Sequence, residues 1–398
     1  MLLTVLPIGA VVAAWWLTGR FRQYALVRRL VDVPNGRSSH VVVTPRGGGL
    51  AIALTMLAAL PMLGALGAVS WGLVWALAGG GALVSLIGFA DDHGHIAPRW
   101  RLLAHFASAS WVLAWVGVPA VSIFGFVLEP DWLGYGLAAL YLVWLLNLTN
   151  FMDGIDGLAG VEAISVCGAG ALLCLVVVPG DKQWVAPLIL ASATLGFLAW
   201  NLPPAKIFMG DAGSGFLGLM LATFSLQAAS VAPKLFWTWV ILLGVFVVDA
   251  TVTLLRRVAR GEKFYEAHRS HAYQQAAQHW GAHRPVTLIV GAINLCWLLP
   301  MALVVALAWL DGPLGVLVAY APLVAAAFWL KAGRPPHLDL PQPDSSFDGQ
   351  AAAYRVNAGN GKRPARNEAE HGGRSSRRAR DRVATLAGAL SAARRKRL

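Results

Sequence analysis

The chain has 398 residues, of which 57% are hydrophobic and only 13% are charged, whereas about a quarter of an average soluble domain is charged. This composition excludes an ordinary water-soluble protein and indicates a polytopic membrane protein. The formal net charge of +12 would suggest nucleic-acid binding, but a bias of Lys and Arg toward cytoplasmic loops accounts for most of it, so no nucleic-acid partner is expected.

Eleven apolar runs reach or approach the roughly 20 residues that a helix needs to cross a bilayer. They are continuous and lack the short alternating pattern of a membrane strand barrel, so an all-α fold is expected. The first run has no basic head or cleavage site and is expected to be a retained helix. The predicted spans are 2–19, 48–68, 70–90, 102–118, 133–150, 158–178, 184–201, 214–231, 235–256, 286–310 and 313–330.

Basic residues predict the orientation, because cytoplasmic loops retain Lys and Arg. An odd number of spans places the amino terminus outside and the carboxyl terminus inside. Of the 32 Lys and Arg residues, only Lys182 and Lys234 then lie away from the cytoplasmic loops and tail. Residues 1–331 are predicted to be a multi-pass catalytic domain, and 332–398 a disordered basic cytoplasmic tail.

Acidic residues recur in the predicted cytoplasmic loops. Asp91 and Asp92 stand side by side at the end of a span, where two carboxylates resist ionising together unless a cation, an Arg or water relieves the repulsion. Further along, the stretch 147–160 packs two Asn, two Asp and three Gly into fourteen residues. It is either a hydrated turn or half of a site.

A third acidic position is Asp211, within Met209-Gly-Asp-Ala-Gly-Ser214 at the start of a predicted helix. Its carboxylate and the free N–H groups of the first turn would suit a metal and a phosphate together. The ordinary alternative is a helix-capping Asp. Inside the span 235–256, Asp249 is expected to pair with the Arg residues at 256 and 257.

The last basic loop contains His268-Arg269-Ser-His271. In a helix the two His side chains would share a face with Arg269 nearby. Cys and carboxylate partners at zinc-ligand spacing are missing, so contact with phosphate or substrate is favoured over a zinc site. Hard oxygen ligands beside Arg are the constellation that holds Mg²⁺ on a diphosphate, and the membrane setting indicates a lipid as the other reactant.

These motifs resemble those of the polyprenyl-phosphate N-acetylhexosamine-1-phosphate transferases, glycosyltransferase family 4, in order, spacing and placement. Within that family the chain most resembles the transferases that initiate bacterial O-antigen and other surface polysaccharides, in the cell inner membrane. The branch that makes phospho-MurNAc-pentapeptide lipid carries three His residues where this chain reads His-Arg-Ser-His. The matching motifs are Asp91-Asp92, Asn147-x-x-Asn150-x-x-Asp153-Gly-x-Asp156-Gly, Met209-Gly-Asp211-x-Gly-Ser214 and His268-Arg-Ser-His271.

The resemblance implies transfer of a sugar 1-phosphate from a UDP-N-acetylhexosamine to undecaprenyl phosphate. Asn150 and Asp211 would hold Mg²⁺, with Mn²⁺ as the alternative, while Arg101 and Arg269 would add positive charge near the phosphates. The remaining roles are assigned by group. Asp91, Asp92 and Asp211 are the catalytic candidates, and Asn147, Asp153, Asp156, Arg101, His268, Arg269 and His271 the substrate-binding ones.

Two other readings stay open from the sequence alone. Intramembrane charge and Gly-rich helix ends also mark ion-coupled secondary transporters, although here nearly all acidic residues lie at one interface. The phospho-MurNAc-pentapeptide branch is the alternative within the family. The sequence also leaves the oligomeric state open between a monomer and a homodimer.

Overall fold

The computed structural model describes residues 2–34, 42–94, 96–262 and 268–334, and this part of the chain is mostly helical. The segment around Arg37 and residues 335–398 of the predicted tail 332–398 lie outside the described residues. The helices are α1 (Leu2–Arg28), α2 (Leu50–Ala65), α3 (Trp71–His93), α4 (Pro98–Val116), α5 (Trp132–Met152), α6 (Leu158–Val177), α7 (Val185–Asn201), α8 (Asp211–Val231), α9 (Lys234–Leu242), α10 (Gly244–Ala259), α11 (Ala272–Trp280), α12 (His283–Ile293), α13 (Leu299–Ala306) and α14 (Gly312–Trp329), with a π-helical turn at Asn294–Leu298.

Within the described residues, seven helical stretches are long and apolar enough to cross a membrane. They are α1, α3, α5, α6, α8, α14 and the continuous stretch from α12 to α13. The bent pair α9 and α10 makes an eighth if it is one span. The protein is therefore a polytopic helical membrane protein, but eleven crossings are not confirmed.

Three predicted spans account for the difference. α2 and α7 have 16 and 17 residues, which at about 1.5 Å per residue falls short of a hydrocarbon core about 30 Å thick. α4 carries Arg99, Arg101 and His105 in its first half, so its mean hydropathy is low for a span. α2 and α7 are therefore apolar but short, whereas α4 is long enough but too polar in its first half.

The first helix runs further than predicted. α1 continues past residue 19 to Arg28, because Arg, Gln, Ala and Leu in this stretch are good helix formers and residues 20–28 contain no Pro or Gly. Arg20, Arg22 and Arg28 therefore lie on a helix and not in a loop.

α8 is the central helix, with 83% of its apolar window buried, and it packs against α3, α5 and α9. Its small residues permit close approach, as is usual between membrane helices. A Cβ at Gly218 would lie 2.6 Å from the carbonyl oxygen of Leu145 in α5. A Cβ at Gly88 in α3 would lie 2.5 Å from the backbone nitrogen of Ala212. This packing brings the ends of α3, α5 and α8 together.

Two helical stretches are interrupted. α9 and α10 meet at an angle of 70° beside Gly244, a residue type that commonly allows such a kink. The π-helical turn separates α12 from α13. Neither interruption was expected from the sequence.

Four short strands complete the described chain. β1 (Val31–Asp32) pairs antiparallel with β2 (Thr44–Pro45), which places the segment after β2 at the end of α1. β3 (Val121–Ile123) and β4 (Phe126–Leu128) form a hairpin between α4 and α5. An all-α description therefore holds for the membrane part and omits this hairpin.

Candidate active site

Asp91 lies in the last turn of α3 and is joined to α8 through one arginine. Its Oδ2 accepts a hydrogen bond of 2.8 Å from Nη1 of Arg101, in the first turn of α4. The other terminal nitrogen of Arg101 lies 3.1 Å from Oδ2 of Asp211. Asp91 Oδ1 accepts from the backbone N–H of Ile96 at 2.7 Å, which fixes the loop between α3 and α4. Arg101 thus bridges two carboxylates predicted for the site.

Asp92 faces the other way and is only 4% exposed. Its carboxylate oxygens lie 3.3 and 3.5 Å from the backbone N–H groups of Asp211 and Ala212, which an α-helix leaves without intrahelical partners. Arg46 approaches Asp92 Oδ1 to 3.9 Å and donates to the Asp92 carbonyl oxygen at 2.6 Å. Gly210, at φ +76°, allows this approach, since a Cβ there would lie 2.6 Å from Asp92 Oδ2.

The Gly-rich segment after β2 joins the same group of loops. Gly48 and Gly49 donate backbone hydrogen bonds of 2.9 and 2.8 Å to the carbonyl oxygens of Phe208 and Met209. Phe208 donates back to Pro45 at 2.8 Å. The loop carrying Arg46 is therefore held against the loop carrying Asp211.

Residues 153–157 connect α5, which carries Asn150 in its last turn, to α6. Burial raises the pKa of Asp153 well above its ordinary value. Neighbouring carboxylates add to this rise in the pKa, in the order Asp211, Asp92 and Asp156. Residues from three loops therefore bring negative charge close to one point, while the side-chain amide of Asn150, among the described residues, takes no hydrogen bond.

The Asp156 carboxylate contacts other parts of the protein and does not point into open space. Oδ2 accepts from the backbone N–H of Ala205 at 2.9 Å, and Oδ1 lies 3.1 Å from Nδ1 of His283. The Thr287 hydroxyl donates to the Asp156 carbonyl at 2.9 Å. Asp156 therefore fastens the α7–α8 loop and α12 to the α5–α6 loop. His283 was not anticipated, because no local pattern links residues so far apart in sequence.

Asn147 lies one turn before Asn150 on α5. Its Nδ2 donates to the carbonyl oxygen of Val143 at 2.7 Å within the same helix, and its side chain lies beside His105 of α4. Asn147 thus faces the α4 side of the site.

The two His residues precede α11, so they do not share a helix face. Their rings still meet, with centroids 4.8 Å apart, and His271 stacks on Tyr273 at 5.5 Å. His268 Nδ1 lies 3.0 Å from Ser270 Oγ, and burial lowers the pKa of His268 to about 4. Arg269 Nε lies 3.0 Å from the end of the Gln278 side chain and donates to it when the amide oxygen is placed on that side.

Asp249 of α10 holds this loop, which corrects the expected pairing with Arg256 and Arg257. Its carboxylate lies 3.2 Å from His271 Nδ1 and accepts from the backbone N–H groups of Ala272 and Tyr273 at 2.8 and 3.0 Å. Arg256 instead donates to the Ala332 carbonyl oxygen at 2.7 Å. Asp249 binds the start of α11 because the free N–H groups of that helix and the His271 imidazole all lie within reach of its buried carboxylate.

Tyr273 joins the His loop to the α5–α6 loop. Its hydroxyl donates to the Phe151 carbonyl oxygen at 2.9 Å, and a Cβ at Gly154 would overlap that hydroxyl. The described parts of the predicted loops thus form two groups of side chains that meet at Asp153. The second group contains Asp156 and His271. The first contains Arg46, Asp91, Asp92, Arg101 and Asp211.

This arrangement defines a membrane enzyme whose charged loops meet where three central helices end. The model of the Glycosyl transferase family 4 matches residues 74–229. A Mycobacterium tuberculosis protein named decaprenyl-phosphate N-acetylglucosaminephosphotransferase is 31% identical over 332 residues, covering 72% of this chain and 79% of that protein. The chain belongs to glycosyl transferase family 4, and it is a phosphoglycosyltransferase.

Two further relatives show the range of the similarity. A Bacillus subtilis protein named "Probable undecaprenyl-phosphate N-acetylglucosaminyl 1-phosphate transferase" is 29% identical over 304 residues, or 74% of this chain and 80% of the relative. A phospho-N-acetylmuramoyl-pentapeptide-transferase of Streptococcus agalactiae is 33% identical over 143 residues, covering 35% of this chain and 40% of the relative.

Proposed function

We propose that the protein transfers an N-acetylhexosamine 1-phosphate from a UDP-sugar to undecaprenyl phosphate and releases UMP. N-acetylglucosamine is the first sugar to test, because the relatives that align with 72% and 74% of the chain are named for it. One observation carries the proposal: Asp153, Asp211 and Asp92 bring their charges together beside Arg101, although they come from different loops. A diphosphate bridged by a cation would fit this mixture of charges.

The residues present fit Mg²⁺, with Mn²⁺ as the alternative. Asn150 offers an uncommitted amide oxygen, and Asp211 a carboxylate that is 28% exposed. Among the described residues no three or more His, Cys, Asp or Glu side chains form a metal cluster, but Mg²⁺ commonly takes only one or two protein ligands and fills its shell with water and phosphate oxygens. When bound, the ion would neutralise charge on the diphosphate.

In the proposed reaction an oxygen of the lipid phosphate bonds to the β-phosphorus as the bond from that phosphorus to the bridging oxygen breaks, and UMP leaves with the electron pair. The second pKa of a phosphate monoester is about 6, so most acceptor is already dianionic at neutral pH and a strong base is not needed. Asp91 and Asp92 would orient the acceptor or remove a residual proton. Of the two, Asp91 suits the acceptor better, because Asp92 is enclosed by the start of α8.

The positive groups would act on the phosphates. Arg101, fixed by two carboxylates, presents a guanidinium that needs no rearrangement when charge builds up. His268, Arg269 and His271 would contact the donor from the opposite loop. Asn147, Asp153 and Asp156 would contact or support the nucleotide and sugar.

We further propose that these loops and the carboxyl terminus face the cytoplasm of a bacterial inner membrane, with the amino terminus outside. The distribution of Lys and Arg supports this orientation. The lipid-linked product would then begin a surface polysaccharide of the O-antigen type. A role in phospho-MurNAc-pentapeptide transfer has less support. Two relatives of that name match 35% and 62% of the chain, against 72% and 74% for the two N-acetylglucosamine relatives, and the three-His motif is absent from the sequence.

The test uses purified protein, undecaprenyl phosphate, Mg²⁺ and a panel of UDP-N-acetylhexosamines. We expect metal-dependent UMP release with at least one donor, and its loss in Asp211→Asn. Asp131→Asn is the matched control, because Asp131 caps α5 at the helix end opposite Asn150 and Asn caps helices about as well. Folded wild-type protein that releases no UMP with any donor, or an Asp211→Asn variant as active as Asp131→Asn, would refute the proposal.

A further inference from the structure

A buried carboxyl group outside the site contacts the π-helical turn. Glu162 of α6 has no exposed surface, and Asn294, the first residue of the turn, is 2% exposed. Asn294 Nδ2 donates to Glu162 Oε2 and to Ser165 Oγ, each at 2.7 Å. The Ser165 hydroxyl itself donates to the Val161 carbonyl oxygen at 2.8 Å. Both acceptors therefore require the amide nitrogen, and the orientation of the Asn294 side chain is fixed.

The two remaining atoms of this pair, Glu162 Oε1 and Asn294 Oδ1, are buried and without a hydrogen-bond partner among the described residues. With an ionised Glu162 both atoms would be buried acceptors left without a hydrogen bond, which destabilises the folded state. A charged carboxylate within an apolar span adds a further cost. One proton on Oε1 removes the charge and supplies the donor that Oδ1 lacks.

We propose that Glu162 holds a bound proton and that its O–H donates to Asn294 Oδ1. The acid and the amide then form a cyclic pair with two antiparallel hydrogen bonds, one of which is already seen at 2.7 Å. Every polar atom of the pair is satisfied without any added ligand.

The surroundings favour a proton over a metal cation. Apart from Asn294, the backbone N–H of Phe246 in the first turn of α10 approaches the carboxyl, although Oε1 still has no hydrogen-bond partner among the described residues. This N–H and the amide nitrogen are donors, which would repel a cation. Tyr320 of α14 is a neutral titratable neighbour of Glu162, and Tyr141 of α5 is in turn a neighbour of Tyr320. The thiols of Cys167 and Cys174 lie on α6 itself and that of Cys296 lies in the π-helical turn. The charged side chains of the surrounding helices lie toward the helix ends or face the loops: Asp211, Lys234, Asp249, Arg256, Arg257, His283 and Arg284.

The pair connects both interruptions of the membrane helices. It ties α6 to the π-helical turn, and Phe246 lies two residues after Gly244, where α9 and α10 bend. π-turns are costly and persist where local contacts stabilise them. α6 also begins directly after the loop that carries Asp153 and Asp156, so the protonated pair fixes the helix on which that loop ends.

The first test is infrared spectroscopy of the purified full-length protein at neutral pH. We expect a protonated-carboxyl carbonyl band that shifts in D₂O and is missing from Glu162→Gln in the difference spectrum. The Gln variant keeps both hydrogen bonds, since its N–H replaces the O–H, and should melt within about 3 °C of the wild type. Equal carboxyl bands in both proteins would overturn the proposal.

Replacing the Asn294 side chain tests whether the pair is held by hydrogen bonds or only by packing. Asn294→Leu leaves Glu162 without partners and should lower the melting temperature more than Glu162→Gln does. The double variant Glu162→Leu/Asn294→Leu removes both polar groups and should recover most of the loss. A Glu162→Gln variant that melts as low as Asn294→Leu would mean that the ionised carboxylate is required, and the proposal would fail. If Asn294→Leu does not fold, the infrared comparison still decides.

Discussion

The carboxylates of the candidate site differ in what each one contacts. Asp91 is paired with Arg101, Asp92 is enclosed by the N-terminus of α8, and Asp156 binds His283 and Ala205. Asp153 lies among the others. Carboxylates that look equivalent in the sequence motifs therefore make different contacts, and substitutions at each position should have different effects.

Arg101 provides the first test. Arg101→Gln should lower kcat/KM for UMP release by about 100-fold, because it removes the fixed positive group that we propose acts on the reacting phosphates. Arg101→Lys should recover only part, since an ammonium cannot span Asp91 and Asp211 as a guanidinium does. The control is Arg99→Gln, an exposed residue two positions earlier that contacts Trp100. Equal losses in the Gln variants at 99 and 101 would contradict the role given to Arg101.

Asp153 should trade stability for function. The unfolded chain releases this proton near pH 3.8, whereas burial and neighbouring carboxylates raise the pKa of Asp153 in the folded protein. This carboxyl therefore lowers stability as pH rises above that value. Without divalent cations at pH 7, Asp153→Asn should melt higher than wild type, by an amount that shrinks toward pH 4, yet lose activity. A variant that melts lower than wild type at every pH between 4 and 8 would refute this, with Asp131→Asn as the control.

At the scale of elements, the central helices follow the predicted spans closely. The spans 133–150 and 158–178 correspond to α5 and α6, because continuous apolar runs bounded by Asp, Asn and Gly leave few alternatives. The bend at Gly244 and the π-helical turn were missed, since both depend on tertiary contacts such as that between Glu162 and Asn294. The sequence likewise predicted that the acidic loops meet, but not that Asp249 would hold His271 across more than twenty residues.

The contact between the His loop and the α5–α6 loop can be tested at Gly154. Gly154→Ala places a Cβ against the Tyr273 hydroxyl and should lower both activity and melting temperature. Tyr273→Phe removes that hydroxyl, and the double variant should be more active than Gly154→Ala alone. UMP release measures the activity, and thermal melts measure the melting temperature. If Tyr273→Phe makes Gly154→Ala worse, the two loops do not pack as described.

At the scale of the whole molecule, the number of crossings decides which loops share a side. α2, α4 and α7 are the helices whose crossing is not confirmed. In a chain with Cys167, Cys174 and Cys296 replaced, Arg99→Cys and Lys182→Cys each exchange one exposed basic residue for a thiol. An impermeant maleimide on intact cells should label position 182 and reach position 99 only after permeabilisation. Labelling of both positions from outside would contradict the proposed orientation.

The most direct test of the account is the identity of the nucleotide released from a UDP-sugar. Transfer of a sugar 1-phosphate breaks the bond between the β-phosphorus and the oxygen that bridges the two phosphates. The β-phosphate must then appear in the lipid and UMP in solution. With a donor labelled at the β-phosphate, the account predicts label in the organic phase and an equal amount of UMP. Release of UDP, with the label left in the aqueous phase, would show transfer of the sugar alone and contradict the account.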